Sequence, residues 1–600
     1  MWEEALQWIT QANDRLNALV WGVPGLLLLV GTGIYFTIRT GFFQVVHFGH
    51  WNRNTILAIF QKKDVRRNTD SSAISQFAAL ATALSATIGT GNIAGVATAL
   101  ALGGPGAVFW MWFSAFFGMM TNYSENVLGI YYRKKNEANE WTGGAMYYIE
   151  EGFKGKKFFG RIGRPLAVLF CVFAVTASFG IGNMSQMNSI STTMEANFGI
   201  PVLVTGFVLA GVAALVIVGG IQRIARVTEK LVPFMAVFYI VGALVIFFTN
   251  IEQAGYIFSS IFADAFNFSA VAGGVGGYVI KRAVTWGFKR GVFSNEAGLG
   301  SSVMVHSASN VKEPVIQGMW GIFEVFFDTI VVCTMTAFIL LSSTTNAVTL
   351  KEALSNVSVG TQYFELADRA NYTGEIPLID EKYNEVITQT GAEGEGSDVT
   401  ITTADGRAFT YALEPAAEIG EKGYIYTNVM SVTGVDGNGD GLVDSVVLDQ
   451  VNGAPLVTYA FSQRFGDWGA KFVTIAVLLF AFSTILGWSY YGTKTFEYLF
   501  GTKATTYYKV AFVAMIVVGA TMKLQLAWDL SDTFNGLMMI PNLIGILVLS
   551  GTVVKITRSY TSRKLSKHPS GEEPVISAYP DIQKAQVRAI KKEERDAAGA

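Results

Sequence analysis

Long apolar runs recur along the whole chain and constrain its fold more than any other feature of the sequence. A run of about 20 apolar residues crosses a hydrocarbon layer about 30 Å thick as a helix, and is longer than most helices buried in soluble cores. We count eleven such runs, with approximate bounds 18–38, 74–101, 106–131, 165–190, 201–220, 228–249, 269–288, 316–342, 470–493, 506–527 and 534–556. Only 15% of the residues are charged, against about 25% in soluble domains. The sequence therefore predicts an all-α polytopic membrane protein with 11 transmembrane helices.

Lysine and arginine are concentrated in alternate connections between the predicted spans. Basic segments follow spans 1, 3, 5, 7 and 11, and they read QKKDVRRN, YYRKKN with KGKKFFGRIGR, IQRIAR, GFKRG and KITRSYTSRKLSK. Cytoplasmic loops carry the excess of basic residues in membrane proteins. We therefore place all five segments and the C-terminus in the cytoplasm, which puts the N-terminus outside. The expected location is the plasma (cell inner) membrane.

The connection between spans 8 and 9 differs in composition from the rest of the chain. Residues 351–469 hold 19 acidic against 6 basic side chains, and the alternating stretch DVTITTADGRAFTYAL is typical of a β-hairpin. We therefore divide the chain into spans 1–8 (1–342), a small acidic, β-rich extracellular insertion (343–469), spans 9–11 (470–556) and a polar, solvated cytoplasmic tail (557–600).

Within this insertion, the stretch DGNGDGLVD follows the first nine positions of an EF-hand loop. Asp436, Asn438 and Asp440 place oxygen atoms at alternate positions, and a glycine follows for the turn. Asp444 stands at the ninth position, but Val447 stands where a bidentate glutamate would complete the ligand shell. The segment is either a weak Ca²⁺ site that orders the insertion or a plain turn between strands, since Asp, Asn and Gly also dominate turns.

Two predicted spans contain glycine-rich stretches, ATIGTGNIAGVA (86–97, span 2) and AVAGGVGGYVI (270–280, span 7). Each glycine inside a helix costs about 1 kcal/mol relative to alanine. Backbone that is not helical survives at membrane depth only when it is buried in protein or lines a polar cavity. Spans 2 and 7 begin two successive sets of five, which must cross the membrane in opposite directions. Paired broken helices in inverted halves are typical of a transporter site at the midplane, and close helix packing through glycine is the alternative.

Four blocks of the sequence, in order, resemble the bacterial sodium:alanine symporter family. They are GTGNIAGVA (89–97), GGPGAVFWMWFSAFFGM (103–119), GFKRGVFSNEAGLGS (287–301) and STILGWSYYG (483–492). The resemblance implies a five-plus-five inverted repeat like that of the leucine transporter, preceded by one extra helix. It also implies Na⁺-coupled uptake of a small neutral amino acid, alanine or glycine. The insertion 343–469 departs from the family pattern, in which we expect a shorter loop.

A small zwitterionic amino acid needs a receptor for its carboxylate, an acceptor for its ammonium group and a limited apolar pocket. The candidate substrate-binding residues come from the broken stretches and from spans 4 and 9, and they are Thr90, Gly91, Asn92, Gln186, Gly274, Gly276, Thr484 and Trp488. Thr484 and Trp488 share one helical face because they are four residues apart. We expect the Trp488 indole to limit the pocket to a methyl side chain. For Gln186 and Trp488, hydrogen bonding or packing between helices is the alternative interpretation.

The resemblance also implies a Na⁺ site between the first and eighth helices of the repeat. Carried over by position, its ligands are the carbonyl groups of Ser85, Ile88 and Phe480 and the hydroxyl groups of Ser483 and Thr484. Such oxygen atoms suit Na⁺. Spans 2 and 9 contain no Asp or Glu deep in the membrane, which favours Na⁺ over H⁺ as the coupling ion. A proton-coupled amino-acid permease is the alternative.

Ionisable residues inside spans are functional candidates by default. Glu324 and Asp328 are expected either to face a water-filled pathway or to pair with Lys or Arg of span 7, and Glu125 lies within span 3. The stretch NEAGLGS (295–301) is predicted to be a gate region at the cytoplasmic mouth and not a ligand site.

Other classes of function find little support in the sequence. We find no HExxH, GxSxG, CxxC or phosphate-binding Gly-Lys-Ser motif, so an enzyme is not predicted. The formal net charge of −2 gives no indication of a nucleic-acid partner, and no obligate protein partner is evident. The lipid bilayer and a small amino acid are the expected partners.

Overall fold

A computed structural model of the chain describes residues 2–68, 70, 72–266, 276–342, 360–365, 378–380, 385–387, 398–402, 408–412, 429–435, 445–451, 453–522 and 525–598. Most of the described residues are helical.

The helices in chain order are α1 (Trp2–Val20), α2 (Val23–Arg39), α3 (Phe43–Val46), α4 (Phe48–Asn54), α5 (Ile56–Gln61), α6 (Lys63–Arg66), α7 (Gln76–Thr87), α8 (Val96–Gly103), α9 (Gly106–Tyr131), α10 (Ala145–Phe153), α11 (Phe159–Phe179), α12 (Ser185–Phe198), α13 (Val202–Ile217), α14 (Gly220–Thr249), α15 (Ala254–Ala265), α16 (Gly276–Asn295), α17 (Val303–His306), α18 (Pro314–Val325), α19 (Thr334–Ser342), α20 (Gly453–Phe465), α21 (Asp467–Phe500), α22 (Thr505–Thr521), α23 (Gln525–Val548), α24 (Ser550–Lys564) and α25 (Pro580–Ala598). Among the described residues, three π-helical segments interrupt longer helices, and they are Gly91–Gly95, Gly180–Met184 and Phe326–Cys333. Two short 3₁₀ turns described there, Ile251–Gln253 and Thr502–Ala504, precede α15 and α22.

Membrane-crossing helices dominate the described part of the chain. Six helical segments there are long and apolar enough to span a bilayer, and eight if each of two sharply bent pairs counts as one span. The described part of each predicted span overlaps a helix or a helix pair, but α9, α13 and α16 are too polar or too short to meet that standard. The all-α membrane class is therefore confirmed. The number of eleven spans and the inverted repeat stay predictions.

Span 2 is broken where its glycines predicted a break. Helix α7 ends at Thr87, and α8 with its preceding π-helical turn continues at an angle of 52° to α7. Ile88, between them, leaves the helical conformation with φ −77° and ψ 88°. In span 7, Gly276 is the first residue of α16, whereas Gly274 lies outside the described residues. π-Helical turns like those of spans 2, 4 and 8 occur frequently at functional sites.

We predicted that the segment GFKRG lies in the connection after span 7, and this prediction is wrong. Helix α16 continues through Lys289 and Arg290 and ends at Asn295. Lys289 can remain inside the protein because its Nζ lies 2.6 Å from the Oδ2 of Asp532 on α23. The basic pair Lys289–Arg290 therefore did not mark the end of this helix.

Strands are described in two places. A short antiparallel pair, β1 (Lys134–Lys135) and β2 (Trp141–Thr142), follows α9. The others lie between α19 and α20 and are β3 (Gly360–Glu365), β4 (Leu378–Asp380), β5 (Glu385–Ile387), β6 (Asp398–Thr402), β7 (Ala408–Ala412), β8 (Val429–Val435) and β9 (Ser445–Gln450). Five of them form a sheet in the order β3-β8-β9-β7-β6, with β7 and β9 parallel and the other neighbours antiparallel, and β4 pairs with β5. The stretch predicted as a hairpin forms the pair β6–β7.

The predicted Ca²⁺ ligands lie outside the described residues, and they are Asp436, Asn438, Asp440 and Asp444. Strands β8 and β9 on either side of them pair antiparallel, with Val435 opposite Ser445. The segment thus connects two paired strands, and Ca²⁺ binding there stays a prediction.

We expected the C-terminal tail to be a solvated extension, but part of the tail is buried. The backbone N–H of Ala578 donates to the carbonyl of Tyr131 at the end of α9 (2.9 Å). Ile576 is fully buried and packs with Val587 and Ile590 of α25. This part of the tail therefore docks on the body of the protein.

Two glycines of α2 allow a test of how this helix packs on α9. A Cβ on Gly33 would lie 2.8 Å from the carbonyl oxygen of Phe117, whereas a Cβ on Gly31 would meet no atom within 4 Å. Gly33→Ala should lower the melting temperature of the detergent-solubilised protein, because overpacking costs roughly 1–3 kcal/mol. Gly31→Ala is the matched control and should leave it unchanged. Equal melting temperatures for the two variants would contradict this packing.

Candidate functional site

The break in span 2 contacts spans 4 and 9 at one level. The backbone N–H and the hydroxyl of Thr90 both donate to Oε1 of Gln186 (3.3 and 3.0 Å). The Gln186 Nε2 donates to the carbonyl of Ile181 in the π-helical turn of span 4 (3.0 Å). A Cβ on Gly89 would lie only 2.4 Å from Oγ1 of Thr484. Glycine at this position therefore lets the broken backbone approach α21 closely.

The hydroxyl groups predicted as Na⁺ ligands lie on the same contact between α7 and α21. Ser483 Oγ donates to the carbonyls of Ser85 (3.1 Å) and Phe480 (2.8 Å). Thr484 Oγ1 donates to the carbonyl of Phe480 (3.1 Å). Ile88 is fully buried and follows one turn after Ser85. The oxygen atoms that we predicted as Na⁺ ligands thus come from both helices and lie together at the end of α7.

Asn92 connects the break to spans 7 and 8. Its Oδ1 accepts from the backbone N–H of Gly89 (3.0 Å). Its Nδ2 lies within hydrogen-bonding distance of Ser294 Oγ (2.9 Å), Asp328 Oδ1 (2.7 Å) and Cys333 Sγ (3.4 Å). Ser294 Oγ also donates to the second oxygen of Asp328 (2.6 Å). An uncharged amide and a hydroxyl therefore hold a buried carboxylate beside the break.

The partners of the buried span 8 carboxylates, in the part of the chain that the structure describes, are a histidine and neutral donors, whereas pairing with basic residues of span 7 was one of our two expectations for them. Glu324 accepts from Nε2 of His306 (2.8 Å) and from Nδ2 of Asn122 (3.3 Å), and all three side chains are fully buried. Asp328 accepts from Ser294, Asn92 and Thr329. Lys289 of span 7 instead pairs with Asp532. The polar centre is therefore built from neutral donors and a histidine.

Glu125 of span 3 also accepts from neutral donors. Its Oε1 accepts from the backbone N–H of Gly300 (3.2 Å) and from the side-chain amide of Asn542. It thereby ties span 3 to the loop after α16 and to span 11.

The NEAGLGS segment is buried and contacts a predicted pocket residue. Glu296 accepts from Nε1 of Trp488 (2.9 Å) through Oε1 and from the hydroxyl of Ser301 through Oε2. Its backbone adopts φ +56°, a left-handed conformation that residues other than glycine rarely adopt. We predicted a gate here and placed Trp488 in the pocket without connecting the two. The structure joins them through one hydrogen bond.

The predicted substrate residues fall into groups. Thr90, Gln186 and Thr484 meet at Gly89, Asn92 faces Ser294 and Asp328, and Trp488 faces Glu296. Gly91 packs against Phe293, whose Cδ1 would lie 3.1 Å from an added Cβ. We did not predict Ser294 or Glu296 as site residues. The indication in the sequence was that Glu296 is a charged residue among the small and apolar residues of GVFSNEAGLG.

In the part of the chain that the structure describes, no group of three or more His, Cys, Asp or Glu is placed to hold a metal ion. The oxygen donors at the end of α7 are carbonyl and hydroxyl groups. Such a set suits a monovalent cation.

Helices that cross the membrane and break around a buried polar centre are typical of secondary transporters. Comparison of the sequence with known families agrees with that class. The profile of the sodium:alanine symporter family matches residues 6–367 and 429–576. The chain belongs to this family. Its members are symporters, a class of transport protein and not of enzyme.

Named relatives match the chain over almost its entire length. The sodium/alanine symporter AgcS of Methanococcus maripaludis is 41% identical over 547 residues, covering 91% of this chain and 96% of its own. The probable sodium/glutamine symporter GlnT of Bacillus subtilis is 32% identical over 570 residues, covering 95% and 93%. The putative sodium/proton-dependent alanine carrier protein YrbD of the same species is 32% identical over 553 residues, covering 92% of each.

The family profile leaves residues 368–428 unmatched. This stretch lies inside the acidic segment 343–469 that we predicted to be an insertion. The flanking parts of that segment, including β3, β8 and β9, belong to the matched region. The departure from the family pattern is therefore narrower than the composition suggests.

Two glycines of the break allow a test of the contact with α21. A Cβ on Gly89 would lie 2.4 Å from Thr484 Oγ1 and 3.4 Å from Gln186 Oε1. Gly89→Ala should therefore abolish amino-acid uptake by membrane vesicles at normal expression. Gly95→Ala is the control, because its nearest contact would be an ordinary 3.9 Å, and it should retain uptake. Normal uptake by Gly89→Ala would contradict this geometry.

Proposed function

We propose that this protein is a sodium-coupled symporter that imports a small neutral amino acid, alanine or glycine, by alternating access across the plasma membrane. The observation that carries the proposal is the contact between α7 and α21. There Ser85, Phe480, Ser483 and Thr484 place carbonyl and hydroxyl oxygen atoms together beside a broken helix. Membership of the sodium:alanine symporter family and the names of its relatives support the same activity.

The amino acid is proposed to bind at the break itself. The backbone N–H groups around Thr90 and Gly91 suit a carboxylate, and Oε1 of Gln186 suits an ammonium group. In the described conformation Thr90 and Gln186 bond to each other. An amino acid would replace these two hydrogen bonds with its own, so that neither buried polar group is left unsatisfied.

Thr484 gives the proposed ion and substrate sites a physical connection. Its hydroxyl belongs to the proposed ion site and also lies against Gly89 at the break. An ion held between Ser85 and Thr484 would stabilise the contact of α7 with α21, and with it the broken backbone that receives the amino acid. By linkage, each ligand would then raise the affinity of the other.

A proton-coupled amino-acid permease is the second candidate function. The structure adds a specific observation in its favour, because Asp328 contacts Asn92 at the break and Glu296 contacts Trp488. Spans 2 and 9 lack deep carboxylates of their own, but neighbouring elements place these two beside them. The name of one relative also includes both ions, sodium and proton.

Uptake by the purified protein in liposomes separates the two candidates. With high external Na⁺ the liposomes should accumulate alanine or glycine, and choline in place of Na⁺ should abolish accumulation at every pH tested. A pH gradient without Na⁺ should drive no uptake. Equal uptake in choline, driven by the pH gradient, would favour proton coupling and contradict Na⁺ coupling.

A hydroxyl deletion tests the ion site. Thr484→Ala should raise the Na⁺ concentration for half-maximal uptake about tenfold, which corresponds to roughly 1.4 kcal/mol for one lost oxygen ligand. Its substrate preference should change less. Ser489→Ala is the matched control, because that buried hydroxyl of α21 bonds to the carbonyl of Leu486 in its own helix (2.6 Å). A normal Na⁺ dependence in Thr484→Ala would remove this hydroxyl from the ion site.

A further inference from the structure

Trp488 lies one helical turn away from the level at which the break meets spans 4 and 9. Thr484 and Trp488 are four residues apart on α21, and Gln186 and Gly182 are four residues apart on span 4. Four residues correspond to about 6 Å along a helix. In the predicted topology α21 runs toward the cytoplasm and span 4 away from it, so both steps lead in the same direction. We call Gly182, Glu296 and Trp488 the indole layer, which lies on the cytoplasmic side of the proposed amino-acid site.

Contacts with three residues fix the orientation of the indole. A Cβ on Gly182 would lie 2.4 Å from both Cβ and Cγ of Trp488, so glycine there leaves room for the ring. Nε1 donates to Glu296 (2.9 Å), and the ring packs edge-on against Tyr491 with centroids 5.4 Å apart. Trp488 is only 2% exposed. The ring is therefore held by packing and by one hydrogen bond.

Glu296 is itself held in place at a cost to the fold. Its side chain is buried, and it accepts hydrogen bonds from the neutral groups of Trp488 and Ser301. Its backbone adopts φ +56°. A buried carboxylate is expensive unless it is well partnered, and an ionisable residue inside the membrane indicates a functional role.

We infer that Glu296 is a positioning residue that fixes the Trp488 indole as the cytoplasmic floor of the amino-acid site and thereby limits the size of the transported side chain. This inference rests on the proposed function. Glu296 acts through Nε1 of Trp488 and does not touch the amino acid. Without the hydrogen bond, the indole turns away and the site accepts longer side chains.

Competition against labelled alanine tests the inference directly. The competitors are 2-aminobutyrate and norvaline, which lengthen the side chain of alanine stepwise. Wild-type protein should reject them, and Glu296→Ala and Trp488→Phe should each lose about tenfold of that discrimination, the scale expected for an added methylene group. The double variant should lose no more than either single variant. Glu296→Gln should keep the wild-type profile, because its amide oxygen still accepts from Trp488 and its NH₂ donates to Ser301.

Trp320→Phe is the matched control for the loss of an indole hydrogen bond. Trp320 is fully buried and donates Nε1 to Gln76 (3.0 Å), outside the indole layer. It should keep the wild-type size profile. The inference is overturned if Glu296→Ala retains wild-type discrimination, if Glu296→Gln behaves like Glu296→Ala, or if the two single losses add in the double variant.

A second readout does not depend on amino-acid transport. Cys171 and Cys333 are the two cysteines of the chain, so Cys171→Ser leaves Cys333, whose Sγ lies 3.2 Å from Ser294 Oγ, as the reporter. In inside-out vesicles, Glu296→Ala should make Cys333 react several-fold faster with a membrane-impermeant methanethiosulfonate, because the floor is loosened. An unchanged rate would overturn the inference. A faster rate in a protein that transports no amino acid would refute the proposed function and still support the floor.

Discussion

Backbone groups freed at membrane depth must find partners inside the protein, because lipid offers none. The break in span 2 depends on this constraint. The N–H of Gly89 donates to Asn92, and the N–H of Thr90 donates to Gln186 of span 4. Asn92 in turn reaches Asp328 of span 8. The break in one helix therefore fixes the positions of several other helices. The polar centre includes the groups that bond to the freed backbone.

The same constraint explains why ion and substrate sites are proposed to adjoin. A broken helix presents free N–H groups and free carbonyl groups at nearly the same depth, which suit a carboxylate and a cation respectively. Ser483 bonds to the carbonyl of Ser85 at the end of α7, while Thr484 lies against Gly89. One turn of α21 thus contacts both kinds of group. Under the proposed function, an ion bound at this turn would directly stabilise the amino-acid site.

Local patterns predicted the apolar spans and the break in span 2, because apolar length and glycine content act over a few residues. Pairings between distant residues left no such pattern. Glu296 and Trp488 are separated by 192 positions, and neither sequence context predicts the other. The predicted end of α16 was wrong for the same reason, because the residue that pairs with Lys289 comes from α23. Docking of the tail likewise depends on a surface formed by another helix.

The most direct test of the central claim is a high-resolution cryo-EM structure of the protein in lipid nanodiscs with Na⁺ and alanine. We expect amino-acid density at the break beside Thr90 and Gln186, and an ion in direct contact with oxygen atoms of Ser85 and Thr484. Density for alanine at another depth, with the Thr90–Gln186 hydrogen bonds intact, would contradict it.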